Sequence, residues 1–247
     1  MKKLTNSSSG NAQKTQGSLA LAPDVARSRA VLKLEKYKML TDGNLYDLSK
    51  IDMHREISDV ERVIQLLGFD SQKPWELQGK RFLDAPCGSY RCVPYEMQRY
   101  RLEHDFHVPM KEKIRPNYLP WLSRYLSVVA KADVIGIDLE RQHNGEPFKS
   151  SSMDLRFKNL SFLPSGTFDG IACMWFVELD NPFAPGRAPG FFDSVDSASS
   201  YGAKQLVEVC NGLLSEFHRL LKVGGRLVNE LHVFEKQAGA GELVRIK

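Results

Sequence analysis

Two short apolar runs that each end in an acid, Phe82-Leu83-Asp84 and Val134-Ile135-Gly136-Ile137-Asp138, constrain the fold of this chain more than any other feature. Such runs suit buried strands, and an acid at the tip belongs where the strand delivers a loop to solvent or to a ligand. Turn-rich Ala85-Pro86-Cys87-Gly88-Ser89 follows the first of them. Helical stripes stand between the strand signals: Leu119, Leu122, Leu126 and Val129 within 119–130, with Pro120 suited to the first turn, and Leu206, Val209, Cys210, Leu213, Phe217, Leu220 and Leu221 further on. A weak strand leads towards Asp154, and another spans 168–175 after the Leu163-Pro164-Ser165-Gly166 turn. Lys222-Val223-Gly224-Gly225 reads as a turn, with a strand starting at Arg226 and running towards Leu231. Alternating strand and helix predicts an α/β fold with a mostly parallel central sheet and helices on both faces.

Upstream, 26–40 reads as a helix, and Ile57, Val60, Ile64 and Leu67 form a clear stripe that Gly68 ends. Residues 25–78 are therefore expected to form an N-terminal helical cap over the ligand-bearing edge of the α/β domain, residues 79–247. Residues 1–24 lack the apolar segment of a secretory signal and read as a loosely held basic tail. The chain of 247 residues, 42% apolar and 26% charged, has enough material for one large core, and its composition is not that of a disordered or disulfide-scaffold protein. The longest apolar run, Ile171 to Val177, is far short of a membrane span.

The net charge of +4 is unevenly placed: residues 1–40 carry eight Lys or Arg against Asp24 and Glu35, leaving 26 basic and 28 acidic side chains beyond them. A near-neutral domain argues against a nucleic-acid partner. A second basic cluster, Arg91, Arg99, Arg101, Lys111, Lys113, Arg115, Arg124 and Lys131, suits either an anionic-substrate patch or a solvated helical face. The cysteines Cys87, Cys92, Cys173 and Cys210 form no Cys-x-x-Cys pair and have no second ligand pair at metal spacing, so no metal site is expected and a reducing cytoplasm is the expected location.

An acid ending each of two strands, with a tight loop beyond the first, is the arrangement that holds a nucleoside. Taken in order, Leu83-Asp84-Ala85-Pro86-Cys87-Gly88, Gly136-Ile137-Asp138-Leu139, the segment 163–170 and the segment 216–225 resemble the motifs of class I S-adenosylmethionine-dependent methyltransferases over residues 79–231. The resemblance implies a Rossmann-like fold and S-adenosyl-L-methionine as cofactor. It places Asp84, Ala85, Pro86, Cys87 and Gly88 near the methionine part, Asp138 with Leu139 at the ribose, and Asp154 near the adenine amine. Tyr90 stands where the family's loop commonly has its third glycine. The 54 positions from Asp84 to Asp138 imply an insertion around 91–125, and residues 242–247 leave room for one short final strand in a shortened C-terminal region.

Methyl transfer needs an aligned acceptor and, for some acceptors, removal of a proton. Glu178 and Asp180 lie beyond the fourth strand, and Tyr90 and His107 lie in or near the insertion; these are the candidate catalytic residues. The proline- and glycine-rich stretch 181–200 reads as a lid-like loop. The expected function is methyl transfer to an O or N atom of a small-molecule acceptor. Two other readings stay open: a noncatalytic binding or scaffold protein of the same fold, suggested by Tyr90 and the short C-terminal region, and a nucleic-acid methyltransferase, suggested by the basic tail and the charged insertion.

Overall fold

A computed structural model describes residues 23–40, 52–88, 119–138, 142, 144–153, 155, 160–174, 200–230 and 232–247. Seven strands form one sheet: β1 (Arg81–Asp84), β2 (Asp133–Asp138), β3 (Lys149–Ser152), β4 (Phe168–Cys173), β5 (Leu221–Asn229), β6 (His232–Glu235) and β7 (Val244–Arg245). Their order across the sheet is β3-β2-β1-β4-β5-β6-β7. The pairs β1–β2, β1–β4, β2–β3 and β4–β5 are parallel, whereas β6 is antiparallel to both β5 and β7. The helices are α1 (Pro23–Leu34), continued by a 3-10 turn at Glu35–Leu40, α2 (Met53–Leu66), α3 (Trp121–Val128) and α4 (Ser200–Leu220). This is a Rossmann-like α/β fold.

Side chains that alternate along the strands divide the core into two layers. Phe82, Val134, Ala172, Val228 and Val233 face one side, where they pack in one cluster with Ala30, Leu34 and Tyr37, with Ile57, Val60 and Ile64 of α2, and with Trp121, Tyr125 and Leu126 of α3. Leu83, Ile135, Ile137, Ile171, Leu227 and Phe234 face the other, with Cys210, Leu213, Phe217 and Leu220 of α4. The helical cap thus forms a layer on a face of the sheet together with α3. Its stripe needs a broad apolar surface, and the sheet face supplies one. Asp52 caps α2 by accepting from the His54 and Arg55 amides at 3.0 and 3.3 Å. Gly68, at φ +90, ends the helix, and a Cβ there would meet Arg226 Nη1 at 2.6 Å.

Several boundaries differ from the sequence reading. Pro23 and Asp24, expected in the tail, already belong to α1. Strand β5 begins at Leu221, five residues before Arg226, because Leu221 pairs with Phe168 and the strand passes an irregularity before Arg226 pairs with Gly170. A further strand, β6, returns directly along β5, and β7 is the expected short final strand. The segment around 163–170 and the end of α4 are joined by side chains. Arg219 donates to the carbonyls of Leu160 and Leu163 at 2.8 and 2.9 Å, and Lys222 donates to both carboxylate oxygens of Asp169 at 2.9 and 2.8 Å. Asp169 also accepts the Arg81 amide at 2.8 Å, so one carboxylate ties the start of β1 to β4 and β5.

Candidate functional site

From β1 the sheet continues to β2 and β3 in one direction; from β4 it continues to β5 in the other. The helices α3 and α4 that precede β2 and β5 lie on opposite faces. Where crossovers part in this way, the carboxyl ends of the central strands frame a crevice, which is where open α/β sheets bind their ligands. Residues 84–88 and Asp138 stand at that edge.

The loop after β1 is tied to both neighbouring strands. The Ala85 amide donates to the Ala172 carbonyl of β4 at 2.8 Å, and the Cys87 amide donates to the Ile137 carbonyl of β2 at 2.9 Å. The Ala85–Pro86 peptide between them is cis. Gly88 has φ +79, a conformation open to glycine and strained for most other residues. Its peptide groups are held from two directions: the amide donates to Asp138 Oδ2 at 2.9 Å, and the carbonyl accepts from Gln142 Nε2 at 2.6 Å. Asp138 also anchors β3, since its backbone carbonyl accepts the Met153 amide at 2.7 Å.

Asp84 turns inward. By alternation it shares a face with Phe82, and its Oδ2 accepts from the Ser123 hydroxyl of α3 at 2.7 Å. Burial pushes its pKa up to about 7, against the pull of the Ser123 hydrogen bonds and with a further push from the Asp138 charge. Its contact is therefore with the first turn of α3, where unpaired helix amides favour an acceptor. Cys87 is also turned in, its thiol raised well above the usual range by burial first and then by the charges of Asp84 and Asp138. Such a thiol is protonated and a poor nucleophile. It packs over β2, where a Cβ on Gly136 would meet Cys87 Sγ at 2.9 Å and Phe148 Cε2 at 2.6 Å. Gly136 makes that close approach possible.

Of the expected site residues, the structure brings together Asp84, Ala85, Pro86, Cys87, Gly88 and Asp138. Leu139, Asp154, Tyr90, His107, Glu178 and Asp180 lie outside the described residues, as do most of the insertion and of the loop 181–200. The anionic-substrate reading loses Arg124. Its guanidinium is fully buried, bonded through Nε to Glu146 at 2.8 Å and lying 4.6 Å from the Trp121 ring centre. The solvated-face reading fails for Arg124 as well, since its side chain is 0% exposed. Gln142 was missed altogether, for no spacing or motif marks it. Gly136 carried a signal, an interior glycine in a strand, that points to close backbone approach.

Among the described residues there is no group of three or more His, Cys, Asp or Glu able to hold a metal ion, and no helix long and apolar enough to cross a membrane. No protein-family model matches the chain, and no curated protein matches it in sequence. Among solved structures the chain is similar to a geranyl diphosphate methyltransferase determined in complex with GPP and sinefungin, at 15% identity and a TM-score of 0.36. That likeness covers 81% of this chain and 59% of the other, so the chain spans less than two thirds of that protein's length.

Proposed function

We propose that the protein transfers a methyl group from S-adenosylmethionine to an oxygen or nitrogen atom of a small-molecule acceptor. The observation that carries this reading is Gly88, fixed between Asp138 and Gln142 at the carboxyl ends of β1 and β2. The acceptors gathered there are the Asp138 carboxylate and the side-chain carbonyl of Gln142, and they suit a ligand that presents hydroxyls and a positive charge. The cofactor is such a ligand, and when bound it supplies a methyl group already activated by the sulfonium. Within the chain, Asp138 holds the loop and offers its carboxylate to the ribose, while Asp84 fixes α3 beneath the loop. Leu139 and Asp154 are proposed for the adenosine end, and Tyr90, His107, Glu178 and Asp180 for aligning the acceptor and taking its proton. The near-neutral charge beyond residue 40 supports a small acceptor over a polyanion.

Calorimetric titration with S-adenosylmethionine and S-adenosylhomocysteine tests the cofactor. Binding in the micromolar range is expected, and no binding of either at millimolar concentration overturns the reading. Asp138→Asn removes charge-assisted hydrogen bonds worth about 1.5–3 kcal/mol. Its affinity should fall roughly tenfold to a hundredfold in a folded protein, and an unchanged affinity would remove Asp138 from the site.

A further inference from the structure

We infer that Gln142 is a further ligand-binding residue, whose side-chain carbonyl accepts a hydrogen bond from a ribose hydroxyl of the bound adenosyl ligand. The inference rests on the cofactor reading above and adds to it a residue that no motif marks. Gln142 is 5% exposed. Both of its amide hydrogens have partners on the loop after β1: Nε2 donates to the Gly88 carbonyl at 2.6 Å and lies 3.5 Å from Cys87 Sγ. These contacts fix which end of the amide is which, since the reverse orientation would set two carbonyl oxygens against each other.

That orientation leaves Oε1 buried and without a hydrogen-bond partner among the described residues. A buried acceptor of this kind is rare because desolvation without a partner is costly, and only a donor can relieve it. The donor has to come from outside the loop, whose nearby amides are already used: Ala85 on Ala172, Cys87 on Ile137 and Gly88 on Asp138. Gln142 and Asp138 hold opposite groups of one residue, the carbonyl and the amide of Gly88. Two acceptors that share Gly88 call for a ligand with two hydroxyl donors close together, and the ribose diol is the part of the cofactor that has them.

Calorimetry on the full chain compares wild type with Gln142→Met, using S-adenosylhomocysteine, its 2′-deoxy and 3′-deoxy analogues, and methylthioadenosine, which keeps the diol but lacks the amino-acid portion. The Met variant should bind S-adenosylhomocysteine about tenfold more weakly. Wild type should discriminate against one deoxy analogue by a similar factor, and the variant should lose that discrimination. If the variant weakens all ligands equally, Gln142 only holds the loop and the inference fails. A dependence on Gln142 that vanishes with methylthioadenosine moves the contact to the ligand's ammonium and overturns the ribose assignment. Should the Met variant not fold, wild type alone decides: equal affinity for S-adenosylhomocysteine and for both deoxy analogues overturns the inference. Failure of wild type to bind S-adenosylhomocysteine at all refutes the cofactor reading instead.

Discussion

One buried carboxyl joins the end of β1 to α3: Asp84, whose Oδ2 accepts from the Ser123 hydroxyl. With its pKa raised from 3.8 to about 7, Asp84 keeps its proton in the folded state over a range of pH where the unfolded chain has lost it. Protonation therefore favours folding: the contribution is complete below pH 3.8 and is lost as pH rises through about 7. The change is on the order of 4 kcal/mol across that window. Asp84→Asn cannot titrate but can still accept from Ser123, so its stability between pH 4 and pH 7 should decline less than that of wild type. Urea denaturation at several pH values reads this directly, and parallel curves for the two proteins would show that Asp84 is ionised throughout. The sequence marked Asp84 correctly as an acid at a strand tip, but not the direction in which it points. Alternation along β1 puts Asp84 on the same face as Phe82, and that relation depends on which face the helices cover. Glu230 was hidden for a different reason. It takes φ +54 between the paired Asn229 and His232, a place where glycine or asparagine would normally advertise the turn, so the sequence carries the strand on towards Leu231 and does not mark β6.

At the scale of elements, the stripes of α2 and α4 and the runs of β1, β2 and β4 were legible because each buries its apolar residues at its own period. The start of β5 was not, because Lys222-Val223-Gly224-Gly225 carries turn residues, and pairing with β4 and β6 overrides that local preference. Gly224 and Gly225 there exchange backbone hydrogen bonds with Lys236 at 2.7 and 3.0 Å. Between elements, a buried ion pair of Arg124 with Glu146 links α3 to the segment leading into β3; their side chains are 0% and 2% exposed. Removing one partner from such a pair leaves a buried charge uncompensated. Glu146→Gln should therefore destabilise the protein by about 3–5 kcal/mol. The double variant Arg124→Met with Glu146→Leu should recover much of that loss, as judged by chemical denaturation. A loss below about 1 kcal/mol in the single variant would place the pair in a surface-like setting.

For the molecule as a whole, the helices before β1 are one wall of a three-layer structure. Ala30, Leu34 and Tyr37 are buried against α2 and α3, and Arg27 pairs with the buried Glu61. Deleting residues 1–40 should expose that surface and strand Glu61, giving a protein that aggregates or unfolds at much lower denaturant. Deleting residues 1–22 alone removes none of these contacts and should leave the unfolding free energy within about 0.5 kcal/mol of wild type. Cofactor affinity in the shorter deletion separates the basic tail from the site. The division of the sheet at β1 and β4 has a consequence for how such a protein can change. Gly88 and Leu119 bracket one intervening stretch of chain, Met174 and Ser200 another, and the first anchor of each stands at the carboxyl edge of the sheet. Among the described residues, which include neither stretch, the strand register, the cradle around Gly88 and two core layers are already present. Under the proposed function, transplanting either stretch between the same anchors is expected to exchange acceptor preference, with the strands and the Gly88 cradle kept as a reusable chassis.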